Sequence, residues 1–351
     1  MPGRRLVFIT QQVDPGHPAL AATVPKVRAL AERVDEVVVL ADRAVAGALP
    51  GNCRSLSFAA PSRAGRGARF ASLLARELAR GRPLAVVAHM CPIYAVLAAP
   101  LTRPLRVPLL LWYTHWARTR TLAAAARLAD TVVSVDRRSF PIGSPKVVPI
   151  GHGIDLGEFP CADGQATRDF RLAALGRYSR AKGLEVVVRA VGLALDRGLD
   201  VRLEVLGPAL NAAEREHRAE LERLVRALDL SRRVRLGHAV LRSEVPGVLA
   251  RASALVNNMQ AGAPDKVVFE AAASCRPVVV SNPVFDRLVD GLGVRLRFDR
   301  DDPDDLASAI GELAARAPEE RRAIGRALRE RVAASHSVEH WADAVLEAAA
   351  R

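Results

Sequence analysis

The chain has 351 residues, of which half are hydrophobic and 4% aromatic, and a formal net charge of +13. That length suits two domains, and the apolar fraction supplies large cores, which excludes a disordered protein. Scarce aromatics and the lack of a base-stacking motif argue against nucleic acid as a partner, despite the positive charge.

The charge is uneven. Residues 1–160 hold 21 basic and 10 acidic residues, whereas residues 161–351 hold 30 and 28. A polyanionic partner is therefore expected for the first half, either an anionic membrane surface or a phosphorylated acceptor. Cys53, Cys91, Cys161 and Cys275 show neither CxxC nor metal-ligand spacing and read as buried thiols of a reducing cytosol. The N-terminus lacks a signal-peptide pattern. The longest apolar run, Leu84 to Leu101, contains His89, Pro92 and Pro100, so it reads as a buried strand and a helix rather than a membrane span. A cytoplasmic protein follows, with at most a peripheral contact to the inner face of a membrane.

Taken in order, Leu6 to Thr10 is a buried first strand. The turn-rich segment Gln11 to Pro18 follows, then a helix near Ala19 to Glu32 and a second strand, Val37 to Ala41. Strand, helix, strand predicts a parallel sheet with right-handed crossovers. Gly16 in the first loop either lets backbone approach a ligand or is an ordinary turn glycine. Between Arg66 and Arg80 the spacing is helical, with Arg66, Arg69, Arg76 and Arg80 in an arc of about 80° and Leu73 and Glu77 among them. Phe70, Leu74 and Leu78 fall on the neighbouring face and are expected to pack inward. Such a basic stripe either meets an anionic bilayer or is a solvated face.

Leu84 to His89 and Val107 to Trp112 are further strands, and Thr131 to Val135 is expected to be the last of this half. His115, in Tyr113-Thr114-His115-Trp116, sits on a loop beyond a strand end. It is placed either to touch a ligand or to serve as a satisfied structural histidine. The turn-rich exit Pro149 to Asp155 leads into a linker at about 150–165.

The second half repeats the alternation. Strands are expected at 172–175, 201–206, 233–236, 254–257 and 277–281, with helices at 184–196, about 212–228, 244–251 and 267–274. Arg171 to Glu185 reads RLAALGRYSRAKGLE: a buried strand, a glycine, a loop carrying Arg177 and Lys182, then a helix. Cations beyond the carboxyl end of a parallel strand are either a phosphate site or solvated charges. Only four lysines occur in the chain, Lys26, Lys146, Lys182 and Lys266, and lysine suits phosphate as a compact point charge. The acidic run Asp299 to Asp305 reads as helix capping around Pro303 rather than a metal site. The tail from about 304 is helical and carries Trp341 on an apolar face.

With WYTH at 112–115, IGHGID at 150–155, GRYSRAKG at 176–183, VRLG at 234–237 and DKVVFEAAASCRPVV at 265–279, the chain resembles the retaining glycosyltransferases of family four, also called group 1. The resemblance implies the GT-B fold, an α/β architecture of two Rossmann-like doubly wound domains facing across a cleft. Residues 1–155 would form the acceptor-side domain and 160–335 the donor domain, with a helix at about 336–351 packing back on the first. It implies transfer of a hexosyl unit from a nucleotide-diphosphate sugar to a glycan, lipid-linked or small-molecule acceptor, in a setting such as cell-envelope polysaccharide synthesis. No cofactor and no metal are implied.

By the same resemblance Arg177 and Lys182 hold the diphosphate, Glu270 accepts hydrogen bonds from the donor ribose, and His115 faces the donor sugar. Gly16, Gly207, His238, Gly262, Asp265 and Lys266 complete the donor surroundings. One position departs from the family pattern: Gly262 stands where a second glutamate is usual, and Asp265 is the nearest carboxylate to replace it. No carboxylate is an obvious nucleophile, so a front-face route is expected. A nucleotide-sugar epimerase and a catalytically silent nucleotide-sugar binding protein are the alternatives.

Overall fold

The computed structural model describes residues 4–17, 20–161, 169–262 and 264–351. Pro18, Ala19, residues 162–165 of the expected linker, and Ala263 lie outside these. Internal contacts divide the chain into two units, Met1–Asp155 with Ser335–Arg351, and Leu156–Ala334.

The first unit is built on β1 (Arg5–Val13), α1 (Thr23–Ala31), β2 (Glu36–Ala44), β3 (Cys53–Ser57), α2 (Arg63–Ala79), β4 (Val86–His89), α3 (Pro92–Thr102), β5 (Leu109–Trp112), α4 (Arg120–Leu128), β6 (Thr131–Ser134) and β7 (Val147–Pro149). Its seven strands run β3-β2-β1-β4-β5-β6-β7, all parallel. The central strands are buried on both faces, as continuous apolar runs such as Leu6 to Ile9 and Val37 to Leu40 require. Two strands correct the expectation from sequence. β7 follows Thr131–Ser134, which is therefore not the last strand of this half, and β3 lies at the sheet edge. Both are short, and β3 is only partly buried, so neither carries a clear apolar period.

The apolar run from Leu84 divides into β4 and α3, with Pro92 in the first helical turn and Pro100 inside the helix. Among the described residues no helix is long and apolar enough to cross a membrane. On α2, Phe70, Leu74 and Leu78 are buried as the spacing predicts. The stripe beside them is less free than it reads. Leu73 packs against the core, and Glu77 is buried with both carboxylate oxygens on the Arg54 guanidinium, at 3.0 and 2.6 Å. Arg66 lies 3.7 Å from Asp42, and Arg69 donates to the Ala59 carbonyl. Arg76 and Arg80 are exposed, with Arg80 3.9 Å from Glu77. The difference arises because Glu77 and Leu73 answer to β3 and the sheet, which periodicity along α2 cannot register.

The second unit comprises β8 (Phe170–Leu175), α5 (Leu184–Asp196), β9 (Val201–Leu206), α6 (Ala212–Ala227), β10 (Val234–Leu236), α7 (Val245–Arg251), β11 (Ala254–Asn257), α8 (Lys266–Ala273), β12 (Val278–Val280), α9 (Asp286–Val289), α10 (Pro303–Ala314) and most of α11 (Pro318–His336). Five parallel strands run β10-β9-β8-β11-β12. Chain order reverses between β8 and β11, the switch point at which such sheets bind ligands beyond their carboxyl ends. The acidic run caps α10: the Asp302 carboxylate accepts from the Asp304 and Asp305 backbone amides, and Pro303 takes the first helical position.

α12 (Val338–Ala349) belongs to the first unit. Trp341 is fully buried there against Phe8 and Trp112, with the Lys26 ammonium 4.3 Å from the Trp112 ring centroid. The glycines of IGHGID make this return possible. Gly151 has φ +73°, and a Cβ on it would fall on the Ser335 carbonyl oxygen. The amides of Gly153 and Ile154 both donate to the His336 carbonyl.

One cysteine pair also corrects the reading from sequence. Cys161 and Cys275 are joined by a disulfide, with Cα atoms 5.1 Å apart across 114 residues of chain, and Cys161 is exposed. Cys91 is a buried thiol and Cys53 a half-buried one, both pushed up in pKa by burial. Pairing across such a separation depends on tertiary proximity, which spacing does not encode.

Candidate functional site

The carboxyl ends of β8, β9 and β11 bring together most of the residues singled out in the second half. Leu175 and Leu206 are register partners, so Gly176 and Gly207 leave the sheet side by side. A Cβ on Gly207 would fall on the Gly176 carbonyl, so only glycine admits this backbone contact. Gly176 has φ +127°, and a Cβ there would stand 2.6 Å from the Lys182 ammonium. Space beside the strand exit is thus kept for a cation. Tyr178 ties the exits of β8, β9 and β10 together: its buried hydroxyl donates to the Gly237 carbonyl at 2.8 Å, and its amide to the Pro208 carbonyl.

Lys182 ends a 3-10 turn, Arg180–Lys182, and points back over β8. Its ammonium donates to the Leu175 carbonyl at 3.2 Å and forms an ion pair with Asp265. Asp265, just before α8, also accepts from the Asn257 amide at 2.8 Å. The nearest carboxylate to Gly262 is therefore turned toward Lys182. Gly262 itself has φ +117° and adjoins the undescribed position 263. Arg177 is half exposed and held by Glu214, 2.5 Å away, which is buried in the first turn of α6.

Glu270 is buried on α8 between two cations, the Arg242 guanidinium at 2.9 Å and the Lys266 ammonium at 3.0 Å. Burial pushes its carboxyl up, but Lys266 and Arg242 outweigh that and hold it below the ordinary range. Arg242 also reaches Glu158 at 2.5 Å. His238 is set apart from this network. It is exposed, and its Nδ1 meets the Arg218 guanidinium.

His115 and Gly16 belong to the first unit, beyond the carboxyl ends of β5 and β1. The His115 Nδ1 accepts from the Ala117 amide at 2.9 Å, and its ring stacks on exposed Trp116. Burial lowers its pKa, so the ring is neutral near pH 7 and its proton sits on Nε2. Such a group presents a donor, not a base. The Gly16 amide donates to the Asp14 carboxylate in a local turn.

Reasoning from sequence missed Glu214, Asn257, Glu158 and Arg242, which hold the expected site residues. Asn257-Asn258, two amides ending an apolar strand, was the one legible signal. Both are buried, and neither Oδ1 atom has a hydrogen-bond partner among the described residues. Chemically, the site offers cations poised at a sheet switch point and a buried carboxylate nearby, which suits an anionic ligand with hydroxyl groups. Among the described residues no three His, Cys, Asp or Glu side chains converge as a metal-ligand set.

Comparison with known proteins agrees with this architecture. Among solved structures, similar folds include HepE from Anabaena in complex with UDP and glucose, with TM-score 0.75, 17% identity, and 97% of this chain and 98% of that one covered. A sucrose-phosphate synthase from Thermosynechococcus elongatus gives 0.74 at 18% identity, covering 97% of each chain. A glycosyltransferase from Rickettsia africae gives 0.80 at 12% identity, covering 99% and 98%. No curated protein matches the sequence. The family model described as glycosyl transferases group 1 matches residues 169–316, a span that contains β8 to β12 and the whole Lys182–Asp265–Glu270 constellation. The chain thus has the GT-B fold, and its second unit is similar to the glycosyl transferases group 1 model over residues 169–316.

Proposed function

We propose that the protein is a retaining, metal-independent hexosyltransferase that uses a nucleotide-diphosphate sugar. The observation that carries this reading is the pair Arg177 and Lys182 at the β8 exit, positioned by Glu214 and Asp265 within the matched group 1 domain. When the bond from the anomeric carbon to the diphosphate breaks, negative charge builds on the leaving oxygen. Preorganised cations stabilise that charge without reorganisation. The acceptor oxygen attacks from the face the diphosphate leaves, and its proton passes to a leaving phosphate oxygen. Glu270, kept ionised, accepts hydrogen bonds from the donor ribose, and the Nε2 proton of His115 serves the sugar.

The Anabaena protein was crystallised with UDP and with UDP-glucose, so UDP-glucose comes first in a donor panel. The assay is release of nucleoside diphosphate in EDTA, with and without a glycan acceptor, and NMR of the product linkage. We expect acceptor-dependent release and an α-linked product from an α-linked donor. Release of free sugar without acceptor would indicate an epimerase-like activity instead. Loss of activity in EDTA that magnesium restores would refute metal independence.

The acceptor is proposed to be lipid-linked or built at an inner membrane face, because the first half carries most of the excess charge. Of the four stripe arginines, Arg69, Arg76 and Arg80 are exposed, and each basic residue near an anionic surface contributes about 1 kcal/mol. Weak vesicle binding, lost above moderate salt, is therefore expected. Replacing Arg66, Arg69, Arg76 and Arg80 by Gln should abolish it without changing donor affinity. A wild-type protein that ignores anionic vesicles at low salt would point to a soluble acceptor.

A further inference from the structure

At the opposite end of the second sheet lies a cavity of ≈ 380 Å³ that the activity above does not use. It opens at the amino ends of β8, β9 and β10, beside the last turn of α7. With about 3.3 Å per residue, Arg171 stands about 16 Å along β8 from Gly176, so the cavity is separate from the Lys182 site. Six arginines line it: Arg171, Arg202, Arg232, Arg233, Arg235 and Arg251. Its floor includes apolar residues such as Ala173, Val248 and Ala252.

The arrangement is electrostatically costly as it stands. Arg171 and Arg202 are register partners on adjacent strands, and Arg233 sits in the turn that leads into β10. Two guanidinium groups thus form a short ladder across adjacent strands, where like charges directly opposite destabilise a sheet. Three carboxylates offset part of this. Asp169 lies 3.1 Å from Arg171 and 2.9 Å from Arg202, Asp200 pairs with Arg233, and Glu204 lies 2.9 Å from Arg235. Arg232 and Arg251 are exposed, and neither enters an ion pair among the described residues. Six guanidinium groups against three carboxylates leave an excess of positive charge around a concave, apolar-floored space. Its volume is that of a small-ligand pocket.

We propose that this cavity is a second anion site, which binds a phosphate or diphosphate ester through Arg232 and Arg251 and rests the ester's organic part on the apolar floor. Guanidinium forks match phosphate oxygens bidentately, and an anion there would also relieve the repulsion along the ladder.

Calorimetric titration of the whole chain with sodium pyrophosphate at low ionic strength tests this. Two equivalents are expected to bind, one at each end of the sheet. In R232Q/R251Q the second equivalent should weaken by roughly 10- to 100-fold, the scale for losing charge-assisted hydrogen bonds, while turnover is unchanged. In R177A/K182A the cavity equivalent should persist, so failure of the transferase reading and failure of this one are distinguishable. Wild-type stoichiometry and affinity in R232Q/R251Q would overturn the proposal. So would a single wild-type equivalent that disappears in R177A/K182A. Sedimentation with phosphatidic acid vesicles separates the two sources of such a phosphate. Retention that R232Q/R251Q loses assigns the site to a lipid headgroup, and pyrophosphate binding without retention assigns it to a soluble ester.

Discussion

Replacing Lys182 by Ala is expected to lower kcat by about three orders of magnitude, and replacing Arg177 by about two. On the proposed mechanism both changes remove a cation from the leaving diphosphate, but the two positions differ in exposure. The Lys182 side chain is 13% exposed and that of Arg177 51%, so water screens Arg177 more and its loss costs less. Lys182→Ala has a second consequence. Among the described residues it leaves the Asp265 carboxylate with Asn257 alone, where on the proposed mechanism it would oppose an incoming diphosphate. The double variant Lys182→Ala/Asp265→Asn should therefore bind nucleoside diphosphate more tightly than Lys182→Ala alone. Steady-state kinetics and calorimetry on the three variants give these values. Arg177→Ala should also lower the thermal unfolding temperature, because it leaves the buried Glu214 carboxylate without this cation. Near wild-type turnover in both single variants would place the leaving-group site elsewhere.

The second large effect is on stability. Arg242→Ala should lower the free energy of unfolding by about 3 to 5 kcal/mol, the cost of breaking a buried ion pair by removing one partner. The Glu270 carboxylate would keep Lys266 but lose its other cation, and Glu158 would lose Arg242 as well. Urea titration measures the change directly. The pH dependence has a definite sign. The folded carboxyl of Glu270 titrates below its ordinary range, so the stabilisation from its pairing is present above the unfolded pKa and is lost as pH falls through the folded value. Without Arg242 the folded pKa rises, and acid unfolding should begin at higher pH than in the wild type. Arg242→Met/Glu270→Gln should recover much of the loss, because a buried charge is no longer left behind. Equal destabilisation of the single and double variants would mean that packing of Arg242, not charge, sets the cost.

Much of the second unit was legible in the sequence because its signals are local. Apolar runs ended by glycine placed β8, β9 and β10 close to their observed ends, and helical spacing placed α5 over Leu184–Asp196. The cap at Asp302 depends on residues two and three positions away, within reach of any reading by spacing. In the first unit the same local reasoning buried Phe70, Leu74 and Leu78 but misplaced Leu73 and Glu77, whose surroundings are supplied by β3 and the core. It also stopped one strand short at β7, where three residues cannot establish a period.

The sequence by itself singled out candidate residues: the cations of GRYSRAKG and, through the family resemblance, the acid of DKVVFEAAA and the histidine after β5. Only the tertiary structure decided what those groups touch. Asp265 meets Lys182 across 83 residues of chain, Arg242 meets Glu270 across 28, and Cys161 meets Cys275 across 114. The juxtaposition of Arg171 and Arg202 exists only through strand register. Periodicity and capping act over about one helical turn or a few strand residues, where backbone geometry alone links position to neighbour. Ion pairs, disulfides and cross-strand ladders require that the whole sheet be assembled first, because its order and register choose the partner.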